Sequence, residues 1–280
     1  MMTVGPTQKA VAIIGAFDDL RSRHVRLLQE AAKLGRVTVL LWSDDAIRTY
    51  AKSDPKLPLA ERLYFLQAVR FVSQVIPLTQ PISPHSLPAI HNFRPSAWVD
   101  EEASASDARR KFCQDHGLEY HVVPAEQLGG FPEPPSDSDS ALEGRKKVIV
   151  TGCYDWLHSG HVRFFEEVSR YGDLYVIVGH DANIRLLKGA SHPLLAQEER
   201  RYMAGSIRCV TRALVSSGEG WLDADPEIRK LKPDIYAVNE DGDRGGKREY
   251  CAKMGIEYLV LKRIPAPGLP PRSSTTLRGF

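Results

Sequence analysis

Apolar positions along this chain form short runs rich in β-branched residues, and between them lie stretches with helical spacing. Lys147–Thr151 is such a run and predicts a strand. Val162–Tyr171 carries apolar residues at helical spacing and closes on Gly172, a helix stop. Leu174–Val178 predicts the next strand, Gln197–Arg208 a helix and Ile235–Val238 a strand. Gly246–Met254 predicts a helix ending at Gly255, and Tyr258–Leu261 a last strand. Strands that alternate with helices predict an α/β fold, a mostly parallel, doubly wound sheet with helices on both faces. Ligands of such sheets bind at the carboxyl ends of the strands, near the switch point of the strand order.

The pattern is written twice. Val11–Arg26 reads VAIIGAFDDLRSRHVR and Val148–Arg163 reads VIVTGCYDWLHSGHVR. A shift of 137–138 residues keeps finding matches. Gly35 meets Gly172 ahead of the runs Val37–Leu41 and Leu174–Val178, and Asp44 meets Asp181. Ile47 and Arg48 meet Ile184 and Arg185, Glu61 and Arg62 meet Glu199 and Arg200, and Pro95 meets Pro233. Cys113, Gly117, Glu119 and Tyr120 meet Cys251, Gly255, Glu257 and Tyr258. An internal duplication follows, with two tandem Rossmann-like doubly wound parallel-sheet domains. Between the copies lies GGFPEPPSDSDSALEG (Gly129–Gly144), rich in Pro, Gly, Ser and Asp, a linker composition. The expected limits are 1–130 for the first domain, 131–145 for the linker and 146–280 for the second domain.

Composition changes this picture little. Hydrophobic content of 42% and charged content of 26% are ordinary for a globular chain. A net charge of +2 with scattered arginines gives no reason to expect a nucleic acid or an acidic membrane as partner. Cys113, Cys153, Cys209 and Cys251 form no metal-spaced cluster, and scattered thiols point to a reducing, cytoplasmic setting. The apolar run near the N-terminus reads as a first strand rather than a signal peptide. No stretch approaches the roughly 18–20 apolar residues of a membrane span.

Candidate chemistry concentrates after the first strand of the second copy. His158 and His161 flank Ser159 and Gly160 at a strand-to-helix junction. A helix start offers free backbone N–H groups and the positive end of the dipole, both suited to phosphate. Two imidazoles there can donate hydrogen bonds to phosphate oxygens as charge develops. Gly160, without a side chain, lets a phosphate approach the backbone.

Thr151–His161, TGCYDWLHSGH, resembles the signature of the cytidylyltransferase-like nucleotidyltransferases, whose HxGH motif binds the nucleoside triphosphate. The resemblance covers nearly all of 146–280. Gly179–Gly189 (GHDANIRLLKG) is similar to the family's second strand and phosphate-binding lysine loop, and Leu194–Met203 (LLAQEERRYM) to its arginine-bearing segment. Arg272–Thr276 (RSSTT) is similar to the hydroxyl-rich start of its last helix. The resemblance implies that His158 and His161 hold the α- and β-phosphates and that Lys188 neutralises phosphate charge from a flexible loop. It implies that Arg200 steadies the nucleotide or the acceptor phosphate. Ser274, Thr275 and Thr276 would offer hydroxyls and amides to departing pyrophosphate. Gly152, Cys153, Tyr154, Gly160, Asn239 and Arg272 complete the implied nucleotide-binding set. Asp155 either fixes its loop or binds magnesium through water. The implied reaction is in-line attack by a phosphorylated alcohol or sugar phosphate on the α-phosphate of CTP or ATP. Mg2+ would accompany the triphosphate, and related domains commonly form homodimers.

Subgroup features divide. The glycerol-3-phosphate cytidylyltransferases carry an arginine several residues before STT, where this chain has Leu269, with Arg272 closer. RSSTT is similar to heptose-phosphate adenylyltransferases, whereas the tandem layout, GCYD and QEER resemble phosphoethanolamine cytidylyltransferases. The base is cytosine or adenine, with the balance toward cytosine. In the first copy Arg21 replaces the first histidine and Arg23 the glycine, while Ala51 or Lys52 stands near the lysine position. Arg23 is expected to fill the phosphate space. The first domain is therefore expected to be non-catalytic, serving packing or dimerisation, or else holding a regulatory ligand.

Overall fold

The computed structural model describes residues 9–79, 83–133, 144–273 and 277. The chain divides into two compact units, Met1–Gly130 and Phe131–Phe280. In the first unit the order is β1 (Ala10–Gly15), α1 (Ser22–Ala32), β2 (Arg36–Trp42), α2 (Asp44–Ala51), α3 (Leu59–Ala68) and β3 (Gln74–Leu78). β4 (Ala97–Glu101), α4 (Asp107–Asp115) and β5 (Glu119–Val123) complete it. The second unit runs β6 (Lys147–Gly152), α5 (Ser159–Val168), β7 (Asp173–Val178), α6 (Asp181–Lys188), α7 (Gln197–Gly205) and β8 (Val210–Val215). It ends with α8 (Asp225–Leu231), β9 (Ile235–Asn239), α9 (Lys247–Met254) and β10 (Glu257–Leu261).

Each unit builds one five-stranded parallel sheet, ordered β3-β2-β1-β4-β5 and β10-β9-β6-β7-β8. The two orders are the same order. In each the chain reverses direction beside its first strand, between β1 and β4 and between β6 and β9, and the switch point lies there. Helices cover both faces of such a sheet, so the central strands read as continuous apolar runs instead of alternating ones. Val11, Ala12, Val148, Ile149 and Val150 are fully buried. Full burial of a Val or Ile side chain stabilises by about 1.5–3 kcal/mol. Register is held at the strand entrances as well. A Cβ on Gly35 would be driven into the Lys9 carbonyl, and one on Gly172 into that of Lys146. The amides of Arg36 and Asp173 donate to those same carbonyls at 2.8 Å.

Some elements depart from the pattern read in the sequence. The helix expected over Val162–Tyr171 starts at Ser159, because His158 caps it through its ring nitrogen. The segment expected as a lysine loop is helix α6. Its cap His180 accepts from the Asn183 amide, Asp181 sits in its first turn, and Arg185 and Lys188 in its last. These charges match the helix dipole, and Gly189 at φ 92 ends the helix. β8 and α8 complete the second unit.

Candidate active site

After β6 the chain turns over Cys153 and Tyr154 into α5. Tyr154 adopts φ 50, in the left-handed region, which costs a non-glycine residue of order 1–3 kcal/mol. The turn folds its ring back on the strand, where a Cβ at Gly152 would come 2.8 Å from Tyr154 Cζ. Tyr154 then packs edge-on against His161 and Phe165, with centroids at 5.2 Å in each case. Gly152 and Tyr154 thereby set the position of a histidine. The first unit repeats the turn with Phe17 at φ 47 over Gly15.

His158 and His161 stack with ring centroids 3.9 Å apart. The Gly160 amide donates to His158 Nδ1 at 3.1 Å, so the neutral ring carries its proton on Nε2. Burial lowers His158 to about 3, and Arg263 and Arg272 push the same way. Burial also holds His161 well below its ordinary value, aided by His158, Arg263 and Lys188. Both rings are neutral near pH 7. His158 Nε2 and His161 Nδ1 are buried and have no hydrogen-bond partner among the described residues. Buried polar atoms without partners are rare and call for an explanation.

A cavity of about 250 Å³ opens beside this pair, and His161, Gly160, Lys188, Asn239, Lys247 and Arg263 line it. Gly152, Cys153, Tyr154 and Asp155 form its floor. A side chamber of about 70 Å³ shares Gly160, Asn239 and Arg263 with it and adds Lys262 and Arg272. His158 lines neither cavity. It lies behind Gly160, only 3% exposed. A Cβ on Gly160 would press on His158 at 3.0 Å from Cε1 and 3.1 Å from Nδ1, so this position has no room for a side chain. Burial raises the Cys153 thiol, with Lys188 and Arg200 opposing.

The sequence expectation for Arg200 needs correction. Its side chain is fully buried, and Nε donates to Leu195 O at 2.9 Å. Nη1 donates to Cys153 O at 2.6 Å, and Nη2 to Gly179 O and Asp181 Oδ1 at 2.8 and 2.7 Å. The guanidinium ties three loops together and does not line the cavity. Arg62 does the same in the first unit, donating to Leu57 O, Ala16 O, Trp42 O and Asp44 Oδ1. Asp155 resolves likewise to loop fixing, because its carboxylate accepts the Leu194 and Leu195 amides at 2.8–2.9 Å. Asp18 accepts the Lys56 and Leu57 amides in the same way. No group of three His, Cys, Asp or Glu among the described residues could hold a metal ion. Asp155 is committed to amides and Asp241 is paired with Arg263. Ser274, Thr275 and Thr276 lie outside the described residues.

Two cavity residues, Arg263 and Lys247, escaped the sequence reading. Arg263 follows β10, pairs with Asp241 and donates to Arg272 O at 2.7 Å, which places a cation against both chambers. Lys247 begins α9 and burial lowers it; its Nζ donates to Gly242 O at 2.9 Å. The signal was available, since LKR directly follows an apolar strand and α/β ligand sites gather at strand ends.

In the first unit, Arg23 does not fill the phosphate space. It turns to Glu101 at 2.7 Å, and a cavity of about 490 Å³ remains. Ala51 ends α2 as Lys188 ends α6, so the first unit has no lysine at that place. No described helix is long and apolar enough to cross a membrane.

A family model described as cytidylyltransferase-like matches residues 149–278. A FAD synthase of Ferroglobus placidus is 37% identical over 120 residues, 42% of this chain and 75% of that protein. The bifunctional protein HldE of Pelobacter propionicus is 32% identical over 136 residues, 43% of this chain but 27% of that protein. Among solved structures, the lipopolysaccharide core biosynthesis protein from Thermoplasma volcanium GSS1 matches at 24% identity and TM-score 0.37, covering 44% of this chain and 99% of that one.

Proposed function

The chain belongs to the cytidylyltransferase-like nucleotidyltransferases, and on that premise we propose that its second unit transfers a nucleoside monophosphate from a triphosphate to a small phosphorylated acceptor. The observation that carries this reading is the stacked, neutral His158–His161 pair. Its buried nitrogens lack partners beside a cavity lined by Lys188, Lys247 and Arg263. A triphosphate supplies what those groups lack, acceptor oxygens and negative charge. An oxygen of the acceptor phosphate attacks the α-phosphorus in line, the bond to the β-phosphate oxygen breaks, and pyrophosphate leaves. The cations hold the charge of the triphosphate, and His161, which lines the cavity with His158 stacked behind it, stabilises what develops at the α-phosphate. Magnesium would enter with the triphosphate, held by phosphate oxygens.

For the base we take adenine. FAD contains an AMP half, and a FAD synthase is among the relatives; RSSTT points the same way. CTP is the second reading, carried by the tandem layout with GCYD and QEER. The decisive assay measures pyrophosphate release with ATP or CTP against FMN, sugar phosphates, glycerol phosphate and phosphoethanolamine. Release with ATP and one acceptor is expected. Release with CTP alone would exchange the base, and none with any pair would refute the transferase reading.

A further inference from the structure

The first unit lacks the phosphate chemistry yet keeps a cavity at its own switch point, larger than the one in the second unit. Its walls show what was changed. Arg21 stands at the place of His158, Arg23 at that of Gly160 and Arg109 at that of Lys247. Asp100 and Glu101 stand where Val238 and Asn239 end the matching strand. The exchanges come in pairs of opposite charge. Arg109 holds Asp100 at 2.8 Å, Arg23 holds Glu101 at 2.7 Å and Arg21 holds Asp19 at 2.9 Å. Lys56 also reaches Asp19, at 3.6 Å. A triphosphate would meet no uncommitted cation on this wall and would have to break these ion pairs, leaving carboxylates facing its own charge.

The rest of the wall includes the apolar side chains Ile13, Ile14, Phe17, Leu27 and Trp42, with Asp18, His24 and Ser104 among them. Phe17 and Trp42 give it two aromatic rings. We infer that the first unit binds an uncharged, planar heterocycle of nucleoside size in this cavity and rejects triphosphates. The volume of about 490 Å³ lies within the usual range for small-molecule sites. Internally paired charges favour a neutral guest, and the aromatic side chains favour a ring. This reading does not depend on the reaction proposed for the second unit.

The test is saturation-transfer NMR on the full chain with adenosine and cytidine as probes. Three variants divide the sites. Ser104→Trp crowds the rim of the first cavity, Trp42→Phe shrinks the aromatic wall, and Asn239→Trp crowds the second unit's cavity. At least one nucleoside is expected to give a signal that Asn239→Trp preserves and Ser104→Trp abolishes. Trp42→Phe should weaken that binding about 3–10-fold, the scale of lost aromatic contact. It stands in if Ser104→Trp fails to fold by circular dichroism. Absence of any nucleoside signal in the parent chain would overturn the inference. So would a signal that Ser104→Trp and Trp42→Phe leave intact, or a signal lost in Asn239→Trp alone.

Discussion

Arg62 and Arg200 make the same set of hydrogen bonds in units that differ in chemistry. One unit has the histidine pair and the other does not, so the twin serves as an internal control. A buried guanidinium that loses its head leaves an unpaired carboxylate and orphaned carbonyls, at a cost of about 3–5 kcal/mol. Arg200→Met and Arg62→Met should therefore lower the urea midpoint of their own units by similar amounts. A stable Arg200→Met protein that has lost only activity would restore the nucleotide-binding role implied by the sequence. The histidines divide the other way. His161→Ala should cost on the order of 10²-fold in kcat, the scale of one lost electrostatic stabiliser. His24→Ala should leave the rate unchanged, because His24 accepts the Arg21 amide at 3.0 Å in a unit without the partner histidine. An equal loss in His24→Ala would mean that the first unit takes part in the reaction. Spacing made His158, His161 and Gly160 visible in the sequence. It could not show that Arg200 is buried, since an arginine beside glutamates reads the same whether it faces solvent, ligand or three carbonyls.

At the scale of elements, strands β6, β7, β9 and β10 and the starts of α7 and α9 were legible, whereas strand β8 and the start of α5 were not. Strands β6, β7 and β9 are mostly buried apolar runs, and β10 is a partly buried one at the sheet edge. Helix α5 begins with His158 as cap and Gly160 in its first turn, residues of weak helical preference, so its periodic pattern becomes readable only at Val162. Helix α6 was hidden for a related reason. Among its residues only Asn183 and Ile184 are buried, while Leu186 and Leu187 are 69% and 53% exposed. The α5 start also yields a test. Gly to Ala inside a helix normally stabilises by about 1 kcal/mol. In Gly160→Ala the added methyl would meet the His158 ring at 3.0 Å, and that ring is stacked on His161 and cannot swing away freely. The expected variant has a thermal midpoint close to that of the parent and a sharply lower kcat. A variant with full activity would show that the ring gives way and that the spacing at Gly160 is not what tunes the site.

Across the whole molecule, the two units share a strand order and differ in electrostatics, and acid should affect their stabilities differently. A buried histidine whose folded pKa is lowered stays neutral while the unfolded chain takes up a proton below about 6.5. Stability is therefore lost as pH falls from that value toward the folded pKa, by up to ~1.4 kcal/mol per pH unit for each such group. The second unit carries two of these, His158, lowered to about 3, and His161, lowered well below its ordinary value. The first unit carries His24, lowered by burial against the pull of Glu101 and Asp19. It also carries Asp100, raised by burial in spite of Arg109. A raised carboxyl has the opposite sign, because the folded state binds the proton first and gains stability as pH falls through its folded pKa. The terms add in the second unit and oppose in the first. Trp42 and Trp98 report on the first unit, Trp156 and Trp221 on the second. Single-tryptophan variants followed in urea at pH 7 and pH 5 should show the second unit's midpoint falling more than the first's. Replacing both histidines of the pair with glutamine should remove most of that difference. Equal shifts in the two units would mean that the pair takes up protons between pH 7 and pH 5 as ordinary histidines do, and that burial does not hold it neutral.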